Sequence, residues 1–212
     1  YAVMALALVL VFSVTRIIFI PQGEFVAYAA LAMAALQTGQ SPALLWLLLV
    51  MCAVCLVVEG VRQARGAEVD WKSTLLWAVV VPALAAVMLL VVKPQAMLLQ
   101  VAAVLLTVTP MGPLLYRLAY RPLADATVLI LLIVSVALHL ALVGVGLFLF
   151  GAEGSRTAPF SEARWDVGGL SISGQSMVIV GTTAVLVVAM YFFFERTIIG
   201  KALRATAINR VG

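Results

Sequence analysis

Two cysteines are the first side chains in this 212-residue sequence whose spacing is typical of a chemical site. Cys52 and Cys55 form a C-x-x-C pattern, which indicates redox chemistry or metal binding when it occurs in a soluble protein. Here the pair lies inside an apolar run with no second pair nearby, and apolar surroundings disfavour the reactive thiolate. We therefore expect both cysteines to be small packing residues on one helix face.

His139 is the single histidine of the chain and lies in the apolar stretch "VALHLAL". A polar ring at membrane depth either bonds to a neighbouring helix or takes part in function. Its own apolar segment contains no second histidine, no cysteine and no acid, so no metal site is predicted. Two interpretations stay open for His139, a helix–helix contact and a place on a translocation path.

Glu24 is the only carboxylate before Glu59, and it follows directly on "PQG". Pro21 has no amide proton and Gly23 is flexible, so a helix should break here. Two interpretations of Glu24 stay open. It complements the dipole of a helix that it opens, or it belongs to a broken helix that lines a watery cavity. The second interpretation predicts a translocation path along Pro21, Gln22, Gly23 and Glu24.

The sequence lacks the usual motifs of enzymes and nucleotide-binding proteins. It has no G-x-x-x-x-G-K-[ST] loop, no G-x-S-x-G, no H-E-x-x-H and no pair of catalytic carboxylates. We therefore predict no catalytic residue, no metal and no cofactor in this chain. If transport uses ATP, another chain must hydrolyse it.

Composition places these residues in a membrane. The chain is 65% hydrophobic and 10% charged, with a mean hydropathy of +1.20, whereas soluble domains carry about 25% charged residues. Long apolar blocks predict an all-α, polytopic transmembrane helical bundle, one domain over 1–212 that lacks both native ends. About seven segments are expected, and two interpretations of the one at 17–38 stay open, a full crossing and a broken or re-entrant helix. They cover 1–14, 25–36, 43–58, 73–92, 96–116, 127–150 and 176–194.

Charge sets the expected orientation. The net charge is +4, and basic residues collect in cytoplasmic loops. The end of the chain carries one acid and four bases, which are Glu195, Arg196, Lys201, Arg204 and Arg210. We therefore predict a cytoplasmic tail, an external loop at 151–175 and an internal connector at 116–126. No basic block with interleaved aromatics occurs, so no nucleic-acid partner is expected.

The tail itself reads as an amphipathic helix, "GKALRATAIN". Leu203, Ala207 and Val211 are spaced four apart, so they form one apolar ridge that can seat in a groove. The alternative is a basic helix that lies on the membrane surface.

The tail also resembles a known family. LivH-type permease subunits of branched-chain amino acid ABC importers carry a cytoplasmic helix of the form T-x-x-G-[RK]-A-[LM]-R-A. The matching residues are Thr197, Gly200, Lys201, Ala202, Leu203, Arg204 and Ala205. The connector "YRLAYRPL" resembles the family's Y-R-P-L connector through Tyr120, Arg121, Pro122 and Leu123. The early segment resembles the family's through Tyr1, Ala2, Ala5, Leu6, Phe19, Gly23, Glu24 and Phe25.

The resemblance implies an importer in the bacterial inner membrane for branched-chain or other small amino acids. Its implied partners are two ATP-binding subunits, a second similar permease, a periplasmic substrate-binding protein and the lipid bilayer. The helix that docks on the ATPase would comprise Gly200, Lys201, Ala202, Leu203, Arg204, Ala205 and Arg210. Three alternatives stay open: an ion-coupled secondary transporter of a small polar solute, a membrane scaffold, and an intramembrane enzyme, which lacks an evident partner for His139.

Overall fold

The computed structural model describes residues 2–92, 95–167 and 170–208, and these residues form eight helices and one two-stranded hairpin. We number the helices in chain order. They are α1 Ala2–Thr15, α2 Gln22–Gln37, α3 Leu44–Ala64, α4 Trp71–Leu90, α5 Met97–Leu123, α6 Val128–Phe150, α7 Gly174–Arg196 and α8 Ile198–Ile208. The predicted all-α helical architecture is confirmed.

Five of these helices, α3 to α7, are long and apolar enough to cross a membrane. The chain is therefore a multi-pass membrane protein. The expected count of about seven spans was too high, because the first two apolar segments form shorter helices. In α1 the apolar part covers Ala2–Phe12. With 16 residues, α2 extends about 24 Å, which is short of the roughly 30 Å hydrocarbon core.

Several helices extend beyond the predicted segments. The third continues past Val58 through Glu59 to Ala64, so the predicted loop at 59–72 is much shorter. The fifth runs to Leu123 and contains most of the predicted connector, with an interruption at Thr109 and Pro110. Proline therefore interrupts this helix locally without ending it.

The backbone clusters into two compact units, Tyr1–Gln22 with Pro159–Gly212, and Gly23–Ala158. In the first unit, α8 packs against both α1 and α7. In the second, α3 packs against α4 and α5. The core of the second unit contains buried residues of α2, α3 and α5, among them Tyr28, Leu48, Cys52, Cys55 and Leu114. Both cysteines are free and buried, as the packing interpretation predicts.

A short β-hairpin lies in the polar segment that was expected to be a loop. Strand β1, Arg164–Val167, pairs antiparallel with β2, Leu170–Ser173, and Arg164 lies opposite Ser173. Ser173 then caps α7, since its Oγ accepts a hydrogen bond from the amide of Ser176 at 3.2 Å. The hairpin therefore leads directly into the start of α7.

Candidate functional site

The break before α2 lies where the sequence predicts it. The first helix ends at Thr15, and Arg16 has a positive φ of 61°. Pro21 is fully buried, and α2 begins at the next residue, Gln22, whose side-chain amide donates to the carbonyl of Met4 at 3.4 Å. The break between α1 and α2 therefore covers residues 16–21.

Glu24 and His139, which the sequence analysis treated separately, are brought together by the fold. Glu24 lies in the first turn of α2, and its Oε1 is 2.8 Å from Nδ1 of His139 on α6. The two side chains are 13% and 37% exposed, respectively. The contact has ion-pair distance without hydrogen-bond geometry, and Glu24 Oε2 has no hydrogen-bond partner among the described residues. The site is thus a carboxylate–imidazole pair with one unused acceptor atom.

Tyr28 holds the two helices of this pair together. Its hydroxyl donates to the backbone carbonyl of Leu142 at 2.5 Å, and its ring centroid lies 5.9 Å from that of Phe150. A Cβ at Gly146 would come within 2.9 Å of the Tyr28 ring, so glycine permits the close approach. Tyr28 is one turn after Glu24 on α2, and its partners Leu142 and Gly146 come after His139 on α6. The contacts therefore follow both helices in the same direction.

The expectation that His139 lacks an evident partner was wrong. The residue spacing shows that Glu24 and Tyr28 lie on one face of α2. It also shows that His139, Leu142 and Gly146 lie on one face of α6. Residue spacing does not determine that these two faces pack against each other, because that depends on the tertiary structure. His139 thus contacts a neighbouring helix at ion-pair distance, while both helix–helix hydrogen bonding and a place on a translocation path stay predictions.

Thr197 and Gly200 explain the T-x-x-G part of the tail motif. Thr197 has extended backbone angles between α7 and α8. Its hydroxyl donates to the carbonyl of Phe193 at 2.6 Å and accepts from the amide of Gly200 at 3.0 Å. A Cβ at Gly200 would lie only 2.3 Å from the carbonyl oxygen of Phe193. Glycine is therefore required for α8 to fold back against α7.

The other predicted docking residues follow this turn on α8. Lys201, Ala202 and Ala205 are exposed, whereas Leu203 is half-buried. The exposed face is therefore the one with Lys201, and it differs from the ridge that the spacing of Leu203 predicts. The side chains of two other predicted residues, Arg204 and Ala207, are not described, and Arg210 and Val211 lie outside the described residues.

A buried ion pair in the second unit was missed by the sequence analysis. Glu59 on α3 is 1% exposed, and its Oε1 accepts a hydrogen bond from Arg121 of α5 at 2.7 Å. Arg62, one turn further along α3, is 3.6 Å from the same oxygen. Glu59 was assigned to a loop because charge ended the predicted span, so its burial could not be anticipated.

Comparisons of the chain with protein-family models, with curated proteins and with solved structures give no match. The resemblance to LivH-type permeases rests on its three sequence motifs alone, and it stays a prediction.

Proposed function

We propose that this chain is a membrane-spanning permease subunit of an ATP-driven importer for branched-chain or other small amino acids. Separate ATP-binding subunits would supply the energy, a second similar permease would complete the pathway, and a periplasmic binding protein would deliver the solute. The single observation that carries the proposal is the tight α7–α8 turn, in which Thr197 and Gly200 give the tail motif a geometric role.

The packing of α8 supports a role in transmission. This helix contacts both α7 and α1, and α1 leads through the break at 16–21 into α2. A force on α8 would therefore pass by direct packing to α1, and by chain continuity to the helix that carries Glu24. Rigid elements joined by a break are the usual parts of alternating access.

The Glu24–His139 pair supports the solute class. An amino acid presents an ammonium and a carboxylate, and both need a polar partner inside a membrane. Glu24 Oε2 is a buried acceptor with no hydrogen-bond partner among the described residues, so it is suited to an ammonium group. His139, at 37% exposed, provides a ring nitrogen on the same site.

The docking part of the proposal is tested by reversing one exposed charge on α8. We expect Lys201→Glu to reduce co-purification with candidate ATP-binding subunits, and to reduce amino-acid uptake about tenfold, because rim charges steer association. Lys72→Glu makes the same change at an exposed position of α4 and should leave both unchanged. Co-purification and uptake that survive Lys201→Glu would reject docking through this face.

An ion-coupled secondary transporter is the second candidate, and one observation favours it. A carboxylate–imidazole pair inside a membrane, such as Glu24 with His139, is a usual component of proton relays. The two candidates differ in their energy source. Uptake into vesicles that stops when ATP is removed, with ion gradients held constant, supports the importer. Uptake that persists under these conditions supports the secondary transporter.

A further inference from the structure

A polar cavity of about 360 Å³ lies in the second unit, where α4 and α5 come together. Its walls combine hydroxyl, aromatic and cationic groups, including Ser73, Trp77, Tyr116, Arg117 and Arg121. Both helices are candidate membrane spans. Neither Glu24 nor His139 lines the cavity, and the proposed function does not use it. Of the described residues that carry the family motifs, Arg121 of the connector is the one that lines it.

Arg117 is the unusual group of this cavity. One guanidinium nitrogen donates to Ser73 Oγ at 2.7 Å and the other to Thr74 Oγ1. Both partners are neutral, and no carboxylate of the described residues lies within ion-pair distance of Arg117. A half-buried cation without a counter-charge is costly. The guanidinium also keeps further N–H donors that these two hydrogen bonds do not use.

The neighbouring charges leave this end of the unit positive. Arg121 is bound to Glu59 at 2.7 Å, and Arg62 is 3.6 Å from the same carboxylate. One buried carboxylate therefore serves two arginines, and Arg117 adds a third positive charge. Asp70 is the only acid that lines the cavity within the described residues. An anion that entered here would meet a surplus of positive charge and two hydroxyl groups.

Helix α4, which contributes Ser73 and Trp77 to the cavity, also has exposed apolar side chains. Leu75, Leu76 and Val79 on α4 are each more than two-fifths exposed. Trp77 and Tyr116 line the cavity itself, and such aromatic side chains are enriched at the level of lipid headgroups. A ligand that places an anionic group beside Arg117 would thus find hydrocarbon-compatible surface elsewhere on α4.

We propose that this cavity binds the phosphate group of an anionic phospholipid, with Arg117 as the principal ligand and the acyl chains along the exposed face of α4. Basic pockets between transmembrane helices are known to hold anionic headgroups. A guanidinium provides the planar donor pair that matches phosphate oxygens. Free phosphate shares this chemistry, but it would make no use of the exposed apolar side chains of α4.

The test measures phospholipid binding to the full-length protein in detergent by native mass spectrometry. The probes are phosphatidylglycerol, phosphatidylcholine and inorganic phosphate. We expect phosphatidylglycerol to bind more tightly than phosphatidylcholine, and Arg117→Gln to weaken its binding about tenfold. Arg65→Gln, which removes an exposed charge at the end of α3, should have no effect.

A variant that is expected to tighten lipid binding distinguishes an effect on binding from a loss of the fold. Asp70 caps α4 by accepting from the amide of Ser73 at 3.3 Å, and asparagine caps helices equally well. Asp70→Asn removes the cavity's negative charge, so it should tighten phosphatidylglycerol binding about two- to fivefold. Equal binding of the two lipids, an unchanged affinity in Arg117→Gln, or displacement of phosphatidylglycerol by millimolar inorganic phosphate would each overturn the proposal.

Discussion

Two long apolar helices, α5 and α7, have opposite surroundings. Of the most apolar 18-residue window in each, 44% is buried in α5 and none is buried in α7. The less apolar helix is the more buried one. Apolar character therefore brings both helices into the membrane, but it does not decide which of them is packed inside protein.

The buried side chains of α5 and the exposed side chains of α7 can be compared directly. The buried positions of α5 include Gln100, Ala103 and Thr107, which are small or able to hydrogen-bond. In contrast, α7 presents large side chains such as Val185 and Tyr191 to its surroundings. Lipid tails are as apolar as leucine, so helices associate in a membrane through close packing and polar contacts. The centre of α7 also contains Gly181, Thr182 and Ala184, so small and hydroxyl-bearing residues alone do not determine which helix is buried.

We expect the largest difference in the free energy of unfolding when one arginine of each helix is replaced by alanine. Arg121→Ala in α5 leaves Glu59 buried at 1% exposure without its 2.7 Å partner, which should lower the free energy of unfolding by about 3 kcal/mol. Arg196→Ala, at the exposed end of α7, should change it by less than about 0.5 kcal/mol. Denaturant titration in detergent measures both. Equal effects would mean that α5 is not packed as described.

We expect an intermediate difference in the free energy of unfolding when one leucine of α5 and one leucine of α7 are each replaced by alanine. Leu114 in α5 is fully buried, whereas Leu186 in α7 is 44% exposed. Leu114→Ala removes packing contacts and leaves a cavity, so we expect a loss of about 2 kcal/mol. Leu186→Ala should be close to neutral in the same unfolding assay. A large loss at Leu186 would instead show that α7 is covered by protein, for example by a second copy of the chain.

The smallest difference should separate two tyrosines. Tyr28→Phe removes the hydrogen bond to the Leu142 carbonyl, and such bonds contribute about 0.6 kcal/mol in membrane proteins. Tyr191→Phe in α7 alters a largely exposed hydroxyl and provides the control. If Tyr28→Phe left the unfolding midpoint where Tyr191→Phe leaves it, Tyr28 would not be holding α2 to α6.

Much of the fold follows from hydropathy, since each of the last five predicted segments corresponds to one long helix. The errors occur at helix ends. Glu59 and Arg121 lay outside the predicted spans, which ended at Val58 and Tyr116, because isolated charges are unfavourable in lipid. In the structure they pair with each other, so both helices continue. A hydropathy pattern evaluates each segment alone, and it cannot include a partner 62 residues away.

The candidate site shows the same division. Glu24 and His139 were recognised individually as polar groups in an apolar sequence, but their contact depends on how α2 packs against α6. The tail is the opposite case, because Thr197 and Gly200 act within a few residues of each other. Their spacing alone indicates a turn, and the structure adds the reason that glycine is needed there.

The sequence by itself determined that this chain enters a membrane as helices, where the chain breaks before Glu24 and where the tail turns. These features depend on transfer of side chains into lipid and on local backbone geometry, both of which are encoded in neighbouring residues. Only the tertiary structure decided which polar groups meet and which helix remains exposed. Those outcomes depend on close approach between distant segments, where a glycine, a hydroxyl or a counter-charge on one helix has effect only when another helix lies against it.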